Sequence, residues 1–385
     1  MTAQYYSYYD ISECPYGHYQ TFEYEHPSCT AISDALWMRI YYCIGLTNNL
    51  LKYLDKPEAV QICSNYDYLR GEALALRAYL HFELIRIFAP DVKKNPEYKS
   101  IPYRKTFSPD IEPQLKVKEV YQEILADLTE AKQLLSNDVI RTNGPDWLGE
   151  SEKKEESDDV TDKNEGYYTS DFLKTRKYRM NYYAVLGTLA RVHLTLGTTD
   201  DMEKAYDYAM EVIESGKFRP IQEEHILVSG EQAKYRDILF TDEFIFGLYS
   251  AQVDAFYKSN FDESYGVKKI LINKLSDIYG QGTRDLRQTH WFKTSWGTSY
   301  LLKHNADLEY AKEKVRMITL AEMYYIAAEA HPAEAYDLLE EILLSREIHS
   351  SLPVNAGRTE VLTEVLKEYR KEYIGDGPVS YTHLR

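Results

Sequence analysis

The stretch from Asp67 to Pro90 has the pattern of a long helix that is buried on two sides. Its apolar and small residues recur three or four positions apart, which is the spacing of one helix face, and they form two separate stripes. One stripe comprises Leu69, Ala73, Leu76, Leu80, Leu84 and Ile87, and the other comprises Ala75, Ala78, Phe82 and Ile85. Asp67 is placed to cap the first turn, and Pro90 disfavours helical geometry at the residue before it. We therefore predict that this stretch is the central helix of the fold, with Leu76 and Leu80 fully buried.

Helical periodicity covers much of the remaining chain. Two further amphipathic helices are expected, and two pairs of segments have the pattern of antiparallel helix hairpins with a short connection that contains glycine or proline. The single helices are expected over 31–54 and 116–135, the hairpins over 178–196 with 201–215 and 317–330 with 332–347, and a final helix over 360–374. In the second hairpin, Leu320, Ala321, Tyr324 and Ala333 occupy the offsets of a tetratricopeptide repeat. The predicted fold class is mostly α, with tetratricopeptide-like helical hairpins stacked side by side and an irregular, loop-rich side region.

We expect a single domain over residues 1–385. Segments 30–217 and 315–374 form its helical scaffold, and segment 218–314, which loses helical periodicity, forms a loop-rich insertion on one side. Within the insertion, Glu243 to Ser250 alternates apolar residues and predicts a short strand, and the segment from Lys269 to Tyr279 is compatible with a helix. Residues 143–166 are dominated by Glu, Asp, Lys and Ser, which predicts a flexible acidic loop.

Composition and motifs exclude several classes of function. The net charge is -16 and the pI is near 5.2, whereas binding to nucleic acid needs a concentrated basic surface. The sequence has no nucleophile elbow, zinc-protease motif, phosphate loop or dinucleotide fingerprint, so we expect no enzyme activity. No run of about 18 apolar residues is present to span a membrane. The first residues also lack the basic and apolar regions of a signal peptide.

Two groups contain residue types that bind metals. The first comprises Cys14, His18, His26 and Cys29, and the second comprises Asp158, Asp159 and Asp162. The first group suits zinc but does not have the spacing of a standard finger, and incidental thiols are the alternative. The second group lacks the glycine and the spacing of an EF-hand loop. We therefore expect neither a metal nor a cofactor.

The central stretch also carries a family signature. It contains Arg70-Gly71-Glu72-Ala73, then Leu76-Arg77-Ala78-Tyr79, then Phe82-Glu83-Leu84, with Phe88 near its end. Further matches follow in order: Ile101-Pro102, the helix from Val117 to Leu135, Ala190-Arg191, Glu243-Phe244-Ile245-Phe246, Arg284-Asp285-Leu286-Arg287, and Leu320 to Tyr324 with Ala327 to Ala330. Together these segments, which span residues 30 to 377, resemble the SusD/RagB family of glycan-capture lipoproteins.

The resemblance implies a function and a location. Members of the family bind oligosaccharide without catalysis at the cell surface and deliver it to a TonB-dependent, SusC-like transporter of the outer membrane. The family's lipid-bearing N-terminal cysteine has no counterpart here, and residues 378–385 do not match the arginine-containing segment that follows the final glycine turn. We therefore expect a chain that is truncated at both ends.

Aromatic residues on loops are the candidates for the ligand site. Tyrosine is abundant, with 36 residues against 12 Phe and 4 Trp, and its flat apolar face with a hydroxyl at the edge suits a sugar ring. We predict binding by Tyr98 and Tyr103 in the loop after the central helix and by Trp291 and Trp296 in the irregular side region, with Arg284 and Asp285 as polar or loop-holding candidates. The alternative is that the tyrosines lie at half-buried helix interfaces and that the tryptophans pack their loop onto the helices.

Two other functions remain open at this point. A tetratricopeptide-type scaffold binds a protein or peptide in its helical groove. A polysaccharide hydrolase needs a pair of carboxylates, and no pair is marked out in this acidic chain. A glycan-binding protein is distinguished from both alternatives if it binds a glycan and does not cleave it.

Overall fold

The computed structural model describes residues 6–8, 17–149, 172–261, 270–272, 275–295, 298–305 and 307–376. Its α-helices are α1 (Gly17–Gln20), α2 (Pro27–Leu54), α3 (Ala59–Ile62), α4 (Tyr66–Phe88), α5 (Val117–Leu134), α6 (Ile140–Asn143), α7 (Tyr182–Leu196), α8 (Thr199–Glu214), α9 (Glu223–Ile226), α10 (Gln252–Phe261), α11 (Leu275–Tyr279), α12 (Leu286–Trp291), α13 (Leu320–Ala330), α14 (Ala335–Leu344) and α15 (Arg358–Glu372). Its strands are β1 (Tyr6–Tyr8), β2 (Phe244–Tyr249), β3 (Ile270–Ile272), β4 (Phe292–Ser295), β5 (Thr298–Leu301) and β6 (Lys314–Thr319).

The long helices form a row in which each packs against the next. Helix α4 lies between α2 and α5, α5 also contacts α7, and the α7–α8 hairpin packs against α13, which in turn contacts α14 and α15. One large hydrophobic core runs through this row. The prediction of a mostly helical fold with stacked hairpins is confirmed.

Helix α4 is central, as predicted, but its buried face differs from the prediction. Phe82, Leu84 and Ile85 are buried in the large core, whereas Leu76 and Leu80 are only partly buried, so the prediction of their full burial is wrong. Leu76, Leu80 and Ile87 lie at one edge of their stripe, away from the neighbouring helices, whereas Ala73 and Leu84 of the same stripe are buried. The helix begins one residue before Asp67, and no side chain caps its N-terminus.

The first hairpin shows how local sequence sets a helix boundary. Helix α7 begins later than predicted because the Asn181 side chain accepts a hydrogen bond from the Ala184 amide and acts as the N-cap. It ends at Gly197, which adopts the left-handed conformation with φ of 66°. Thr198 and Asp201 then form a capping box that starts α8. The two helices are therefore joined by a connection too short to let them separate.

The side region contains more strand than the sequence indicates. Strands β2 and β6 pair antiparallel, and a second antiparallel sheet has the order β1-β3-β5-β4. The predicted helix boundaries are wrong for two segments. Residues 317–319 belong to strand β6 and not to the following helix, and Lys269 to Tyr279 is divided between strand β3 and the short helix α11.

A buried ion network joins the side region to the helices. The Glu372 carboxylate at the end of α15 accepts hydrogen bonds from Arg287 Nη1 at 3.0 Å and Arg316 Nη1 at 2.9 Å, and Arg346 Nη2 lies 3.5 Å away. Lys303 Nζ donates to the Glu372 carbonyl at 2.8 Å and to the Asp376 carboxylate at 2.6 Å. The four basic residues come from α12, the β5–β6 connection, strand β6 and the turn after α14. Residues that are far apart in sequence are thus held around Glu372 and Asp376.

The network predicts a loss of stability in acid. Burial alone would raise the pKa of Glu372, but the surrounding Arg346, Arg316 and Arg287 lower it well below its usual value of 4.5, and basic neighbours likewise lower the pKa of Asp376 below 3.8. Since the unfolded chain takes up these protons first, the stabilisation is complete above about pH 4.5 and is lost as the pH falls below it.

Glu372→Gln should therefore lower the free energy of unfolding at pH 7 by about 3–5 kcal/mol, the cost of removing one partner of a buried ion pair. It should also flatten the acid dependence between about pH 5 and 3. Urea denaturation at several pH values tests both effects, with the exposed Glu214→Gln as the control. Equal stability of the two variants at pH 7 would contradict this assignment.

Candidate binding surface

The structure buries Trp291, which the sequence analysis placed on an exposed loop. Its ring is 0% exposed in the smaller hydrophobic core of the side region. Its Nε1 donates a hydrogen bond to the Ile238 carbonyl at 2.5 Å, and Lys303 Nζ lies 3.9 Å from the ring centroid. The expectation that Trp291 is exposed is wrong in this structure, and the alternative interpretation, that it packs its loop inward, describes its place.

Tyr103 is also buried, in the large core. Its hydroxyl donates to Asp127 Oδ2 at 2.5 Å, and its ring stacks on His81 with centroids 3.9 Å apart. The same Asp127 receives two hydrogen bonds from Arg77, so Tyr103 completes a buried network between α4 and α5. Burial raises the pKa of Tyr103 well above its usual value, and the Asp127 charge adds to that rise. A sugar has no access to this ring.

The remaining predicted residues lie in different settings. Tyr98 is 57% exposed and is free to contact a ligand. Asp285 is buried and caps α12 by accepting from the Arg287 amide, which is the loop-holding role considered for it, whereas Arg284 is exposed. Trp296 lies outside the described residues. The predicted aromatic residues therefore do not form one platform, because Tyr103 and Trp291 are buried in separate cores.

A different group of aromatic residues lies at the open end of the β2–β6 pair. We define the tyrosine surface as Tyr178, Tyr249 and Tyr310 together with Lys177 and Lys314. Tyr249 ends strand β2 directly opposite Lys314, the first residue of β6. The rings of Tyr178 and Tyr249 meet at an angle of 66° with centroids 5.0 Å apart. Lys314 Nζ lies 5.8 Å from the Tyr249 centroid and 5.7 Å from that of Tyr310.

The tyrosine surface is exposed but held in place. Tyr249 is 60% exposed and Tyr310 is 42% exposed, whereas the Lys314 side chain between them is largely buried. Lys314 Nζ donates to the carbonyls of Glu309 at 2.9 Å and Tyr310 at 3.1 Å. Behind the surface, the Asn181 amide that caps α7 also donates to the Ile245 carbonyl of β2 at 2.8 Å. The strands and loops that carry the rings are thus tied to the helical row.

Charged groups surround the rings. Lys177 Nζ lies 2.6 Å from the Asp146 carboxylate, and burial lowers the pKa of Lys314, a shift that nearby Asp237 partly opposes. Burial raises the pKa of Asp237 to about 6. One of its oxygens accepts from the amide and hydroxyl of Thr241, and the other has no partner within the part of the chain that the structure describes. The exposed aromatic faces therefore lie beside the largely buried ammonium groups of Lys177 and Lys314 and the more exposed carboxylate of Asp146.

The residues of this surface come from distant segments, so the sequence alone did not indicate it. Tyr178 was assigned to the start of a helix, Tyr249 to the end of a strand, and Tyr310 to an irregular segment. Two segments of the sequence alternate apolar residues, and Tyr249 ends one of them while Lys314 begins the other. This was the available signal. The backbone pairing of β2 with β6 was needed to bring them together.

The fold and part of the sequence match known proteins. Residues 12–144 match a SusD-like family described as starch-binding and associating with the outer membrane. This part of the sequence is similar to the SusD-like family. The fold of the chain resembles that of a SusD superfamily protein from Bacteroides thetaiotaomicron, with a TM-score of 0.65 and 22% identity over 90% of this chain and 73% of that one. The resemblance inferred from the sequence is confirmed.

Two further solved structures share this SusD-like fold. A SusD-like carbohydrate binding protein from Bacteroides vulgatus has a TM-score of 0.67 and 20% identity, over 94% of this chain and 71% of that one. The surface glycan-binding protein A from Bacteroides uniformis has a TM-score of 0.59 and 18% identity, over 89% of this chain and 71% of that one. No curated protein matches the sequence.

The described residues also bear on metal binding and on membrane crossing. Among them, no three His, Cys, Asp or Glu side chains are grouped as metal ligands. Cys14 and the three aspartates from 158 to 162 lie outside the described residues. His18 and His26 stack with ring centroids 3.5 Å apart, and Cys29 is buried. No helix in the described segments is long and apolar enough to cross a membrane.

The different burial of Trp291 and Tyr98 gives a direct test of their roles. Trp291→Ala should lower the free energy of unfolding by about 3–5 kcal/mol, because it empties a large buried site. Tyr98→Ala should change it by only about 0.5 kcal/mol, as is usual for an exposed position. Chemical denaturation of both variants measures the difference. Equal effects would show that Trp291 does not hold the smaller core.

Proposed function

We propose that this SusD-like chain binds oligosaccharide without transforming it, and that the tyrosine surface is its main binding site. The observation that carries the proposal is the presence of exposed tyrosine rings on a paired-strand support, with polar groups at their edges. The family match and the carbohydrate-binding descriptions of structurally similar proteins support the same ligand class.

The chemistry of the surface fits a sugar chain. The exposed faces of Tyr249 and Tyr310 offer flat apolar areas for the apolar faces of pyranose rings. The tyrosine hydroxyls lie at the edges of these rings, where the hydroxyl groups of a sugar need partners. Because Lys314 spaces the two rings, the surface suits a chain of several sugar units better than a single one.

The residues singled out from the sequence have lesser roles in this proposal. Tyr98 is a candidate for a separate contact with a long polysaccharide, and Arg284 and Trp296 remain candidates at the edge of the side region. Trp291, Tyr103 and Asp285 act indirectly by holding the loops. The binding function itself is assigned to one domain in which the helical scaffold supports the side region.

We further propose the cellular setting that the family implies. The chain acts at the outer membrane, where a lipid anchor of the kind that the family implies holds it at the cell surface. It passes bound glycan to a SusC-like TonB-dependent transporter for nutrient uptake. The family's association with the outer membrane supports this setting.

The proposal predicts that the two exposed rings carry affinity. In isothermal titration calorimetry with starch oligosaccharides and a panel of other glycans, Tyr249→Ala and Tyr310→Ala should each weaken binding about tenfold, equivalent to ~1.4 kcal/mol. The matched control is Tyr53→Ala, which removes an exposed tyrosine from α2, the helix at one end of the helical row.

Turnover is measured on the same samples through the release of reducing ends. The proposal expects tight binding with no new reducing ends. Unchanged affinity in both variants would place the site elsewhere, and a steady rise in reducing ends would replace binding by hydrolysis as the function.

A further inference from the structure

We propose that a cleft between α8, the end of α13 and the start of α15 binds a lysine or arginine side chain of a peptide segment. The cleft has a volume of about 580 Å³, which lies within the usual range for ligand pockets. It is built from the helical row, whereas the tyrosine surface lies on strands β2 and β6, the loop before β6 and the turn before α7. The inference therefore goes beyond the proposed glycan function and does not depend on it.

One wall of the cleft is aromatic and fixed by hydrogen bonds. The rings of Tyr206 and His331 contact each other with centroids 4.8 Å apart. The Tyr206 hydroxyl donates to Glu334 Oε2 at 2.5 Å, and His331 Nδ1 lies 3.2 Å from Glu334 Oε1. The hydrogen bond to Glu334, together with burial, raises the pKa of Tyr206 to about 12. The Tyr206 ring is thus held neutral and oriented before any ligand arrives.

The apolar lining and the aromatic wall suit the stem of a long basic side chain. Met202 lies one helical turn before Tyr206 and is buried at the base of the cleft. Lysine and arginine carry an apolar stem with a charged tip, so they pack along such a lining while the tip reaches a polar group. A cation held near the tyrosine face gains a further favourable contact.

The rim of the cleft supplies charge of the required sign. Glu203 and Asp207 are four positions apart on α8, so their carboxylates project from the same helix face. In the described segments neither carboxylate has a hydrogen-bond or ion-pair partner. Two carboxylates that flank the aromatic wall complement one guanidinium or ammonium group.

Arg358 favours a peptide over an isolated amine. It is the first residue of α15 and forms the opposite rim of the cleft, where its side chain is exposed. A guanidinium donates hydrogen bonds readily to carbonyl oxygens, which a peptide backbone presents next to its basic side chain. The cleft therefore offers one set of groups for the side chain and another for the main chain. The net charge of -16 also attracts a basic partner.

The test uses two tripeptides that differ only in charge. Acetyl-Ala-Arg-Ala-amide is titrated into the full chain and binding is followed by calorimetry, and the citrulline analogue provides a neutral probe of the same shape. We expect saturable binding of the arginine peptide that is at least tenfold tighter than that of the citrulline peptide. Equal affinity for the two peptides, or no saturable binding of either, would overturn the proposal.

Variants then locate the site. The double substitution Glu203→Gln with Asp207→Asn should weaken the arginine peptide at least tenfold, whereas Glu214→Gln, two turns farther along α8, should leave its affinity unchanged. Both altered side chains are exposed, so neither change removes a core contact. Circular dichroism confirms the fold of each variant. Retained affinity in the double variant would place the peptide elsewhere and contradict the assignment.

Two further titrations separate this inference from the glycan proposal. Glucosamine, which supplies an amine without a peptide backbone, should bind at least tenfold more weakly than the arginine peptide, and equal or tighter binding would contradict the peptide assignment. The double variant should keep its full affinity for oligosaccharide. A parallel loss of glycan affinity would show that the cleft belongs to the glycan site and would overturn the inference of a separate one.

Discussion

The Glu372 carboxylate and the three arginines around it are the interaction on which the arrangement of the two parts of the molecule depends. Arg287, Arg316 and Arg346 come from three different segments and meet at the end of α15. Each charge is buried, so each needs the others to remain in place. An ion pair at the surface tolerates movement because water replaces the lost partner. The charges of this network are buried, so a displaced partner would leave a charge without compensation. Strand β6, which carries Arg316, is thereby fixed to the helical row.

The position of strand β6 determines the tyrosine surface. Arg316 lies two residues after Lys314, and Lys314 pairs across the strands with Tyr249. A displacement of β6 by one residue would turn Lys314 and its neighbours to the other face of the strand. The buried network and the Asn181 contact to strand β2 therefore hold both strands in register. In this account the helices supply a rigid frame, the network fixes the strands, and the exposed rings receive the ligand.

The parts of the fold that depend on local periodicity were predictable from the sequence. Helix α5 was expected over 116–135 and extends from Val117 to Leu134. The prediction was accurate because the apolar spacing of this segment is helical throughout. The partial exposure of Leu80 was not predictable, since the apolar stripe that contains it also contains the buried Leu84 and does not show where the neighbouring helices make contact. Trp291 illustrates the same limit. An aromatic residue in an irregular segment has the same local sequence whether it faces solvent or a small core. The burial of Trp291 is shown only by its contacts with Ile238 and Lys303.

The most direct test of the account is a crystal structure of the chain with a bound oligosaccharide that calorimetry has shown to bind. We predict an intact sugar chain whose rings stack on Tyr249 and Tyr310, with its hydroxyl groups near the tyrosine hydroxyls and with the paired strands unchanged. An oligosaccharide bound at another face, with both tyrosine rings free of contact, would contradict the central claim. So would a cleaved product held between two carboxylates.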